Sequence, residues 1–491
     1  MNFQALSQQN PWWTDGNRLS GDQTLQEYAA QAVRWAPHLL DRFLLGEDRV
    51  YTLRGPRQVG KTTLLKLVME RLVREESVDP RAVLFFSCDL LRGPRELSDL
   101  VDTYLKWQDP FGLKRRYILL DEVSSVQDWA IGVRGLANRG RLRGCTMVLT
   151  GSQAIDVAQE VERLPGRRGE SANAPPEDLL DKVMMPMSFA EYVETVRPGT
   201  RQFFAKNRLH DWPTRLSTLD SLYSGGRSKL WSALLPLQDD LDAAFRDYLL
   251  TGGFPRPLND LKRTGRVSRE TYDLYVRALM GDLARWKHEE RTAREILAAV
   301  VEKYGNPVSW RTLAVETGLA SHNTAAKYVS NMERTFTLQT VHQYDLRRKR
   351  PAPRKERKVY VSDPFIFHCI RGWSLGLPDP FEAAKQFVGD PRNRGPLLES
   401  VVADHIARIA FSASPTSIFD AYQRVLFWRS SKGWEADFIF KAGANIRALQ
   451  VTTSRSRQGD LRALRPFGGG IVLTEAGEGE SVPLPVFLLL A

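Results

Sequence analysis

The chain of 491 residues is poor in the side chains that form disulfides and metal clusters. Its three cysteines, Cys88, Cys145 and Cys369, lie far apart and form no C-x-x-C pair. The seven histidines show no spacing typical of metal ligands. This pattern disfavours a disulfide framework and a zinc centre, and it indicates a reducing compartment.

Long apolar runs are also missing. No run approaches the ~20 apolar residues that span a bilayer, and the first residues, Met1–Trp13, have no basic-then-apolar signal pattern. We therefore expect a cytoplasmic protein with no membrane partner. An acidic excess is absent as well, since the net charge is +11 and the pI is near 9.5. Such a charge favours a polyanionic partner, although only weakly.

A glycine-rich segment, Gly55–Thr62, matches the phosphate-binding pattern G-x-x-x-x-G-K-[ST] at every required position. An apolar strand precedes it, and a predicted helix follows it. In that context backbone N–H groups and the helix N-terminus face phosphate oxygens. Lys61 would reach the β- and γ-phosphates of ATP, and Thr62 would hold Mg²⁺. The residues whose i, i+4, i+8 spacing predicts the helix are Leu64, Val68 and Leu72.

A second element, Tyr117–Glu122, is an apolar run that ends in two acids. It is typical of a strand buried on both faces of a parallel sheet, with the acids at its carboxyl end. Asp121 is predicted to bind Mg²⁺ through its water shell, and Glu122 to act as the general base on the attacking water. The alternative, two acids that end an ordinary strand, is weakened by the phosphate-binding loop about sixty residues upstream.

A third apolar run, Thr146–Ser152, predicts a neighbouring strand. Either Thr150 or Ser152 would contact the γ-phosphate or the water; alternatively either one caps the next helix. Together with the run Ala82–Ser87, these segments predict an α/β three-layer domain around a parallel sheet. The predicted nucleotide-binding residues are Gly55, Pro56, Arg57, Gln58, Val59, Gly60, Lys61, Thr62, Thr63, Asp121 and Ser152.

The order of these motifs resembles that of prokaryotic AAA-type ATPases fused to a C-terminal domain of unknown function. The resemblance rests on GPRQVGKTTL, ILLDE and LTGS, followed by Gly166-Arg167, Pro186 to Tyr192, and Gly252 to Pro255. In that family the Gly-Arg lies near the nucleotide and the Gly-Gly-x-Pro begins a helical lid. The resemblance therefore implies Arg167 as an arginine finger, in cis or in trans. Its alternative role is that of one cation in the loop Arg163–Arg168.

Residues 309–334 predict two helices joined by a turn. Ser309 is placed to cap the first helix, and Gly318 suits a left-handed C-cap. The second helix, from His322 to Arg334, has the arrangement of a helix-turn-helix recognition helix, and the strands at 338–344 and 358–361 predict the wing of a winged helix. Its predicted core face is Ala325, Tyr328, Val329 and Met332, and its outer face is His322, Asn323, Ala326, Lys327 and Ser330.

Between the two strands of the predicted wing, the run 347–358 holds eight cations and one acid. Such a run would contact several phosphates with a strong salt dependence, which predicts a DNA or RNA partner. The alternative is a solvated loop on a winged helix that contacts only proteins.

The C-terminal part approaches the PD-(D/E)xK pattern of restriction-endonuclease-like folds. Glu399 lies on a predicted helix, Asp437 on a predicted hairpin strand and Gln450 on the next strand. In such folds carboxylates bind Mg²⁺ and a lysine orients the hydrolytic water. Thr452 stands where that lysine is expected, so we predict a nuclease-like domain that does not cleave, with these three residues as relics or structural groups. The lysines considered as replacements are Lys432 and Lys441.

Four segments follow: an N-terminal helical lead-in (1–45), an AAA-type ATPase core and lid (46–262), a helical connector with a winged helix (263–370) and the PD-(D/E)xK-like domain (371–491). The predicted function is ATP-driven switching on nucleic acid, in which ATP and Mg²⁺ order the surrounding loops and hydrolysis releases them. Two alternatives stay open. One is an ATP-regulated, Mg²⁺-dependent nuclease, and the other is a signalling or scaffold ATPase that binds only proteins.

Overall fold

The computed structural model describes residues 3–151, 179–223, 229–413, 424–442, 445–453, 458–475, 477 and 481–491. These residues form two compact units, one up to Met185 and the other from Pro186 onward. The predicted boundaries after residues 45, 262 and 370 fall inside the units and stay predictions. None of the described helices is long and apolar enough to cross a membrane.

The first unit is built on a parallel sheet of five strands in the order β2-β3-β4-β1-β5. Apolar runs form these strands because both faces of a parallel sheet are covered, and β4 is buried along its whole length. The strands are β1 (Arg49–Arg54), β2 (Val83–Ser87), β3 (Arg116–Asp121), β4 (Cys145–Gly151) and β5 (Asp181–Val183). The described α-helices are Phe3–Gln9, Gln23–Ala29, Lys61–Glu70, Pro94–Gln108 and Trp129–Asn138.

The N-terminal segment of the first unit satisfies the backbone of β2, the strand at one end of the sheet order. The Asn10 side chain donates to the Phe85 carbonyl oxygen at 2.9 Å and accepts from the Phe85 amide at 2.8 Å. The indole N–H groups of Trp12 and Trp13 both donate to the Val83 carbonyl oxygen. Side chains thus make the hydrogen bonds that a further strand would otherwise make.

The second unit combines many helices with one mixed sheet. Its helix pair at residues 310–334 has the predicted bounds, with Ser309 as the N-cap of the first helix and Gly318 in the left-handed region. The described α-helices are Phe189–Val196, Thr200–Lys206, Trp212–Tyr223, Lys229–Leu234, Gln238–Thr251, Pro255–Thr264, Arg269–Arg285, Glu290–Glu302, Trp310–Glu316, His322–Arg334, Pro364–Ser374, Pro380–Gly389, Pro391–Ala413, Gln458–Leu464 and Leu484–Leu490.

The sheet of the second unit has eight strands, in the order β13-β12-β11-β10-β9-β6-β7, with β8 also paired to β6. Strand β6 pairs antiparallel with β8 and parallel with β9, so strands from both sides of residue 370 belong to one sheet. This sheet includes the two strands that the sequence assigns to a wing. The strands are β6 (Leu338–Asp345), β7 (Arg350–Pro351), β8 (Arg357–Val361), β9 (Val425–Arg429), β10 (Glu435–Ala442), β11 (Asn445–Thr452), β12 (Ile471–Thr474) and β13 (Val482–Pro483).

A buried aspartate joins the Gly-Gly motif of the second unit to a following helix. Asp363 accepts hydrogen bonds from the amides of Phe365 and Ile366 as the N-cap of Pro364–Ser374, and from the Gly253 amide at 2.9 Å. A Cβ atom on Gly252 would lie 2.0 Å from the Asp363 carboxylate, and Gly252 has a φ of 58°. Only glycine fits there, because the carboxylate approaches the backbone so closely.

Candidate nucleotide site and a buried carboxylate cluster

The phosphate-binding loop follows β1 and precedes the helix Lys61–Glu70, as the sequence predicts. Gly60 has a φ of 107°, a conformation that favours glycine. A Cβ atom on Gly55 would lie 2.1 Å from the Met184 carbonyl oxygen, so the start of the loop also requires glycine. The loop is therefore shaped by two positions where a side chain cannot be accommodated.

The Lys61 ammonium lies inside the loop. Its Nζ donates to the carbonyl oxygens of Gly55 at 3.1 Å and Pro56 at 3.0 Å, and the side chain is buried. These contacts hold a positive charge inside the loop, which suits the binding of phosphate oxygens.

Three hydroxyl and carboxylate groups connect the helix of the loop with β3 and β4. The Thr62 hydroxyl donates to Asp121 Oδ2 at 2.6 Å, and the Thr150 hydroxyl donates to Asp121 Oδ1 at 2.5 Å. The Thr150 oxygen also accepts from the Glu122 amide at 2.8 Å. Thr62 and Asp121 together offer the hard oxygen donors that Mg²⁺ prefers, so these residues fit the predicted metal.

Glu122 has the properties of a group adapted to proton transfer. Its backbone lies in the left-handed region with a φ of 49°, which is uncommon for a residue with a side chain and is concentrated at functional sites. Burial raises the pKa of its carboxyl, while the Lys61 ammonium opposes that rise. A carboxylate of raised pKa is a stronger base toward water.

The predicted nucleotide residues that the structure describes therefore lie on one loop and on the carboxyl ends of two adjacent strands. The sequence left Thr150 as an alternative to Ser152, and the Thr150 hydroxyl donates to the Asp121 carboxylate. Ser152 and the predicted arginine finger Arg167 lie outside the described residues.

A second group of charged residues surrounds a buried lysine in the second unit. Asp437 is buried with the lysine, whereas the Glu399 and Glu435 side chains are 17% and 23% exposed. The Lys358 Nζ on β8 lies 3.0 Å from Glu399 Oε2, 2.7 Å from Glu435 Oε1 and 3.3 Å from Asp437 Oδ1. Lys358 is only 1% exposed. The Tyr360 hydroxyl donates to Glu399 Oε2 at 2.6 Å. We refer to these five residues as the Lys358 cluster.

Two pKa shifts follow from this burial. Burial raises the pKa of Asp437 to about 7, and the nearby Glu399 carboxylate adds to the rise. Burial by itself would lower the pKa of Lys358, but the carboxylates of Glu399, Asp437 and Glu435 outweigh it and raise that pKa well above its usual value. Lys358 therefore stays charged across the physiological range.

The Lys358 cluster contains Glu399 and Asp437, two of the three residues that the sequence proposed as a nuclease relic. The sequence analysis expected no lysine beside them unless Lys432 or Lys441 replaced it, and this expectation is corrected. An ammonium is present beside Glu399 and Asp437, but it comes from β8 and not from Lys432 or Lys441, which are exposed. Lys358 and Tyr360 lie two residues apart, so they share a face of the strand, and this alternation was the available signal.

Gln450 lies beside the Lys358 cluster because it directly precedes Val451, which contacts Asp437. The Val451 amide donates to Asp437 Oδ2 at 2.8 Å, which fixes this part of β11 against β10. The Gln450 Oε1 atom is buried with no hydrogen-bond partner among the described residues.

The basic run 347–358, which is predicted to contact several phosphates, is only partly at the surface. Arg357 and Lys358 are buried on β8. The exposed cations are Arg347, Arg348, Lys349, Arg350, Arg354 and Lys355, which we call the basic turn. On the adjacent helix His322–Arg334 the exposed residues include His322, Asn323, Lys327 and Ser330, while the predicted core face is buried.

Comparison with known proteins gives two family matches, neither of which covers half of the chain. Residues 47–193 match the family described as AAA domain, and residues 242–376 match the family described as Domain of unknown function (DUF8612). No curated protein matches the chain.

Among solved structures, the chain is similar to the Aeropyrum pernix Orc1 protein in complex with DNA, at 14% identity over 68% of this chain and 88% of that one, with a TM-score of 0.28. It is also similar to a Thermotoga maritima RuvB variant, at 13% identity over 69% and 89%, with a TM-score of 0.24. Both TM-scores are low. The matched family and the loop geometry instead identify residues 47–193 as an AAA-type P-loop nucleotide-binding domain.

Proposed function

We propose that the chain hydrolyses ATP and uses the hydrolysis cycle as a switch that acts on nucleic acid. The proposal of ATP hydrolysis rests on three hydrogen bonds. The hydroxyls of Thr62 and Thr150 both donate to Asp121, and Thr150 accepts from the Glu122 amide, so the Glu122 backbone lies beside the phosphate-binding loop. This set joins a phosphate site, an Mg²⁺ site and a general base at one edge of the sheet.

Each residue of the site has a separate role in ATP hydrolysis. The Lys61 ammonium and the loop amides bind the phosphates, and Glu122 accepts a proton from the attacking water. Mg²⁺, when held by Thr62 and Asp121, neutralises charge that develops on the phosphate oxygens. Thr150 fixes the Asp121 carboxylate and the Glu122 amide from the neighbouring strand, so a change at the phosphates alters both strands together. Arg167 stays a proposed arginine finger.

For the second part, the helix pair 310–334 with β6 and β8 is proposed as a winged helix that contacts DNA or RNA. The exposed basic turn and the exposed polar face of His322–Arg334 support this, because phosphate contacts from such cations dominate nucleic-acid affinity. A scaffold ATPase that binds only proteins is the alternative, and it predicts no salt-dependent binding to nucleic acid. A cytoplasmic location is proposed on the cysteine pattern.

We also propose that the sheet carrying Asp437 and Gln450, together with the helix carrying Glu399, is PD-(D/E)xK-like and does not cleave. The ammonium of Lys358 is surrounded by carboxylates, which leaves it unsuited to orient a hydrolytic water. Mg²⁺-dependent cleavage by the wild type that is lost in Asp437→Asn would establish the nuclease alternative instead.

The test of the ATPase site compares two variants. Lys61→Ala should abolish nucleotide binding, because the main counter-charge to the phosphates is lost. Glu122→Gln should keep binding but slow turnover by about 10²-fold or more, because only the base is removed. Phosphate release and equilibrium nucleotide binding are measured side by side.

Asp89→Asn is the matched control, since Asp89 is an exposed carboxylate after β2 that hydrogen-bonds Ser87. The charge of Asp89 makes the smallest contribution to the raised pKa of Glu122, so this variant should turn over far closer to the wild-type rate than Glu122→Gln does. Equal rates in Glu122→Gln and the wild type would refute the assignment of the base.

A further inference from the structure

The Lys358 cluster has the arrangement of a cation site whose cation is part of the chain. Three carboxylate oxygens from a helix and one strand converge on a single point, and that point is occupied by the Lys358 Nζ. An ammonium has three donors and no acceptor. Lys358 donates hydrogen bonds to Glu399 and Asp437, and Glu435 forms an ion pair with it at 2.7 Å.

The distances suit an ammonium and are too long for a metal in the same place. The Nζ–oxygen separations run from 2.7 to 3.3 Å, whereas Mg²⁺–oxygen distances are about 2.0–2.1 Å and Ca²⁺–oxygen distances about 2.3–2.6 Å. A metal at this point would overlap the ammonium. The two cations are therefore mutually exclusive unless the lysine leaves.

Neighbouring groups give each carboxylate of the Lys358 cluster a second partner. Arg429 lies 3.6 Å from Glu435 Oε2, the Tyr360 hydroxyl donates to Glu399, and the Val451 amide donates to Asp437. Each carboxylate thus has a partner besides Lys358. Buried charges of this kind are tolerated when they are paired and hydrogen-bonded, and removing one partner leaves the others uncompensated.

We propose that Lys358 is an internal cation that occupies the position of a divalent metal, so that the Glu399, Glu435 and Asp437 carboxylates need no metal in the wild type and become a divalent-cation site when the ammonium is removed. The cluster then ties β8 to β10 and to the helix Pro391–Ala413. This inference concerns the second unit alone and is independent of ATP hydrolysis and of nucleic-acid binding.

The test counts bound Mn²⁺ per chain by electron paramagnetic resonance, without nucleotide. Mn²⁺ is the probe because carboxylates bind it in the same manner as Mg²⁺. Lys358→Met keeps the length of the side chain and removes its charge. It should bind one more Mn²⁺ per chain than the wild type, and Lys358→Met combined with Asp437→Asn should lose that ion.

Lys66→Met is the matched control. Lys66 is also a buried lysine, but it pairs with the single carboxylate of Asp22. One carboxylate does not make a Mn²⁺ site, so this variant should bind as many ions as the wild type.

Two results would overturn the proposal. The first is an Mn²⁺ count in folded Lys358→Met that equals the wild-type count. The second needs no lysine variant, and so remains decisive if Lys358→Met does not fold: a wild-type Mn²⁺ site that disappears in Asp437→Asn would show that the cluster binds metal with Lys358 in place. Equal counts in the wild type and Asp437→Asn support the proposal.

Discussion

At the scale of single residues, Thr150 shows how one hydroxyl can connect two acidic residues of the candidate site. It donates to the Asp121 carboxylate and accepts from the Glu122 amide, and so it fixes the acid that would hold the metal shell and the residue that would supply the base. A hydroxyl bears both a donor and an acceptor, which an apolar side chain of the same shape lacks.

Thr150→Val should therefore lower ATP turnover by about 10-fold, the value of one lost hydrogen bond in the transition state, while nucleotide affinity changes little. The measurement is steady-state phosphate release together with equilibrium binding. Thr146→Val serves as the control. Thr146 lies on the same strand but at its other end, where its hydroxyl donates to the Leu45 and Glu47 carbonyl oxygens. A turnover loss of equal size in both variants would contradict the role given to Thr150.

Residue identity was predictable from sequence where the motif is contiguous, and not where the partners are distant. The loop Gly55–Thr62 and the pair Asp121 and Glu122 were found because local spacing determines their chemistry. Lys358 was counted with a surface run because a run of cations is usually solvated. Two of its partners, Glu399 and Asp437, lie 41 and 79 residues away, and sequence spacing contains no signal for such contacts.

At the scale of elements, the Gly-Gly motif and the helix Pro364–Ser374 are joined by one carboxylate. Asp363 caps that helix and also accepts from Gly253, which lies 110 residues earlier. The sequence identified the motif by resemblance, but its physical reason, close approach of the Asp363 carboxylate, required the structure.

Asp363→Ala should destabilise the protein by about 2–4 kcal/mol, because a helix cap is lost and the buried Gly253 amide is left without its acceptor. Asp379→Ala, which removes the cap of Pro380–Gly389 at a solvent-accessible site, should cost clearly less. Urea unfolding of both variants measures the difference. If Asp363→Ala lowers the free energy of unfolding by no more than Asp379→Ala does, the contact with Gly253 contributes nothing.

The loss of stability caused by Asp363→Ala should depend on pH in a definite direction. Burial raises the pKa of Asp363 to about 7 in the folded chain, against about 3.9 when unfolded. Between these values the folded state binds more protons, so the stability that Asp363 contributes falls as pH rises toward 7. The destabilisation by Asp363→Ala should therefore be larger at pH 5 than at pH 8, and equal losses at the two pH values would show that the folded carboxyl is already ionised at pH 5.

At the scale of the whole molecule, the net charge of +11 does not describe the surface. Two of the eight cations in the densest basic run are inside the second unit, and one of them is held by carboxylates. Strands β6, β8, β10 and β11 of that unit were predictable from local patterns, whereas β7, β12 and β13 were not predicted. Their union into one sheet was not, because it depends on a parallel pairing of His342 with Leu426 across 84 residues of chain.

The remaining exposed cations give the prediction that distinguishes a nucleic-acid partner from a protein partner. Changing Arg347, Arg348, Lys349 and Arg350 to glutamine should weaken binding to single- or double-stranded DNA or RNA. It should also reduce the slope of log affinity against log salt by about three units, or roughly 0.7–0.9 for each lost phosphate contact. Fluorescence anisotropy over a salt series measures both quantities.

The control changes an equal number of exposed cations elsewhere in the second unit, namely Arg263, Arg269, Arg291 and Lys385, to glutamine. It removes the same net charge from other helices, so it should lower affinity far less. Equal effects of the two sets would indicate attraction by overall charge alone, and no effect of either would favour the protein-binding alternative.

The side chains that cover β2 have a consequence for aggregation. A bare strand edge is a template onto which another chain can add, and here the protection consists of Asn10 and two tryptophans instead of a paired strand. A shortened protein that begins near Arg49 would keep the whole phosphate-binding loop yet present this edge to its neighbours. We therefore expect the residues before β1 to limit self-association through this strand edge.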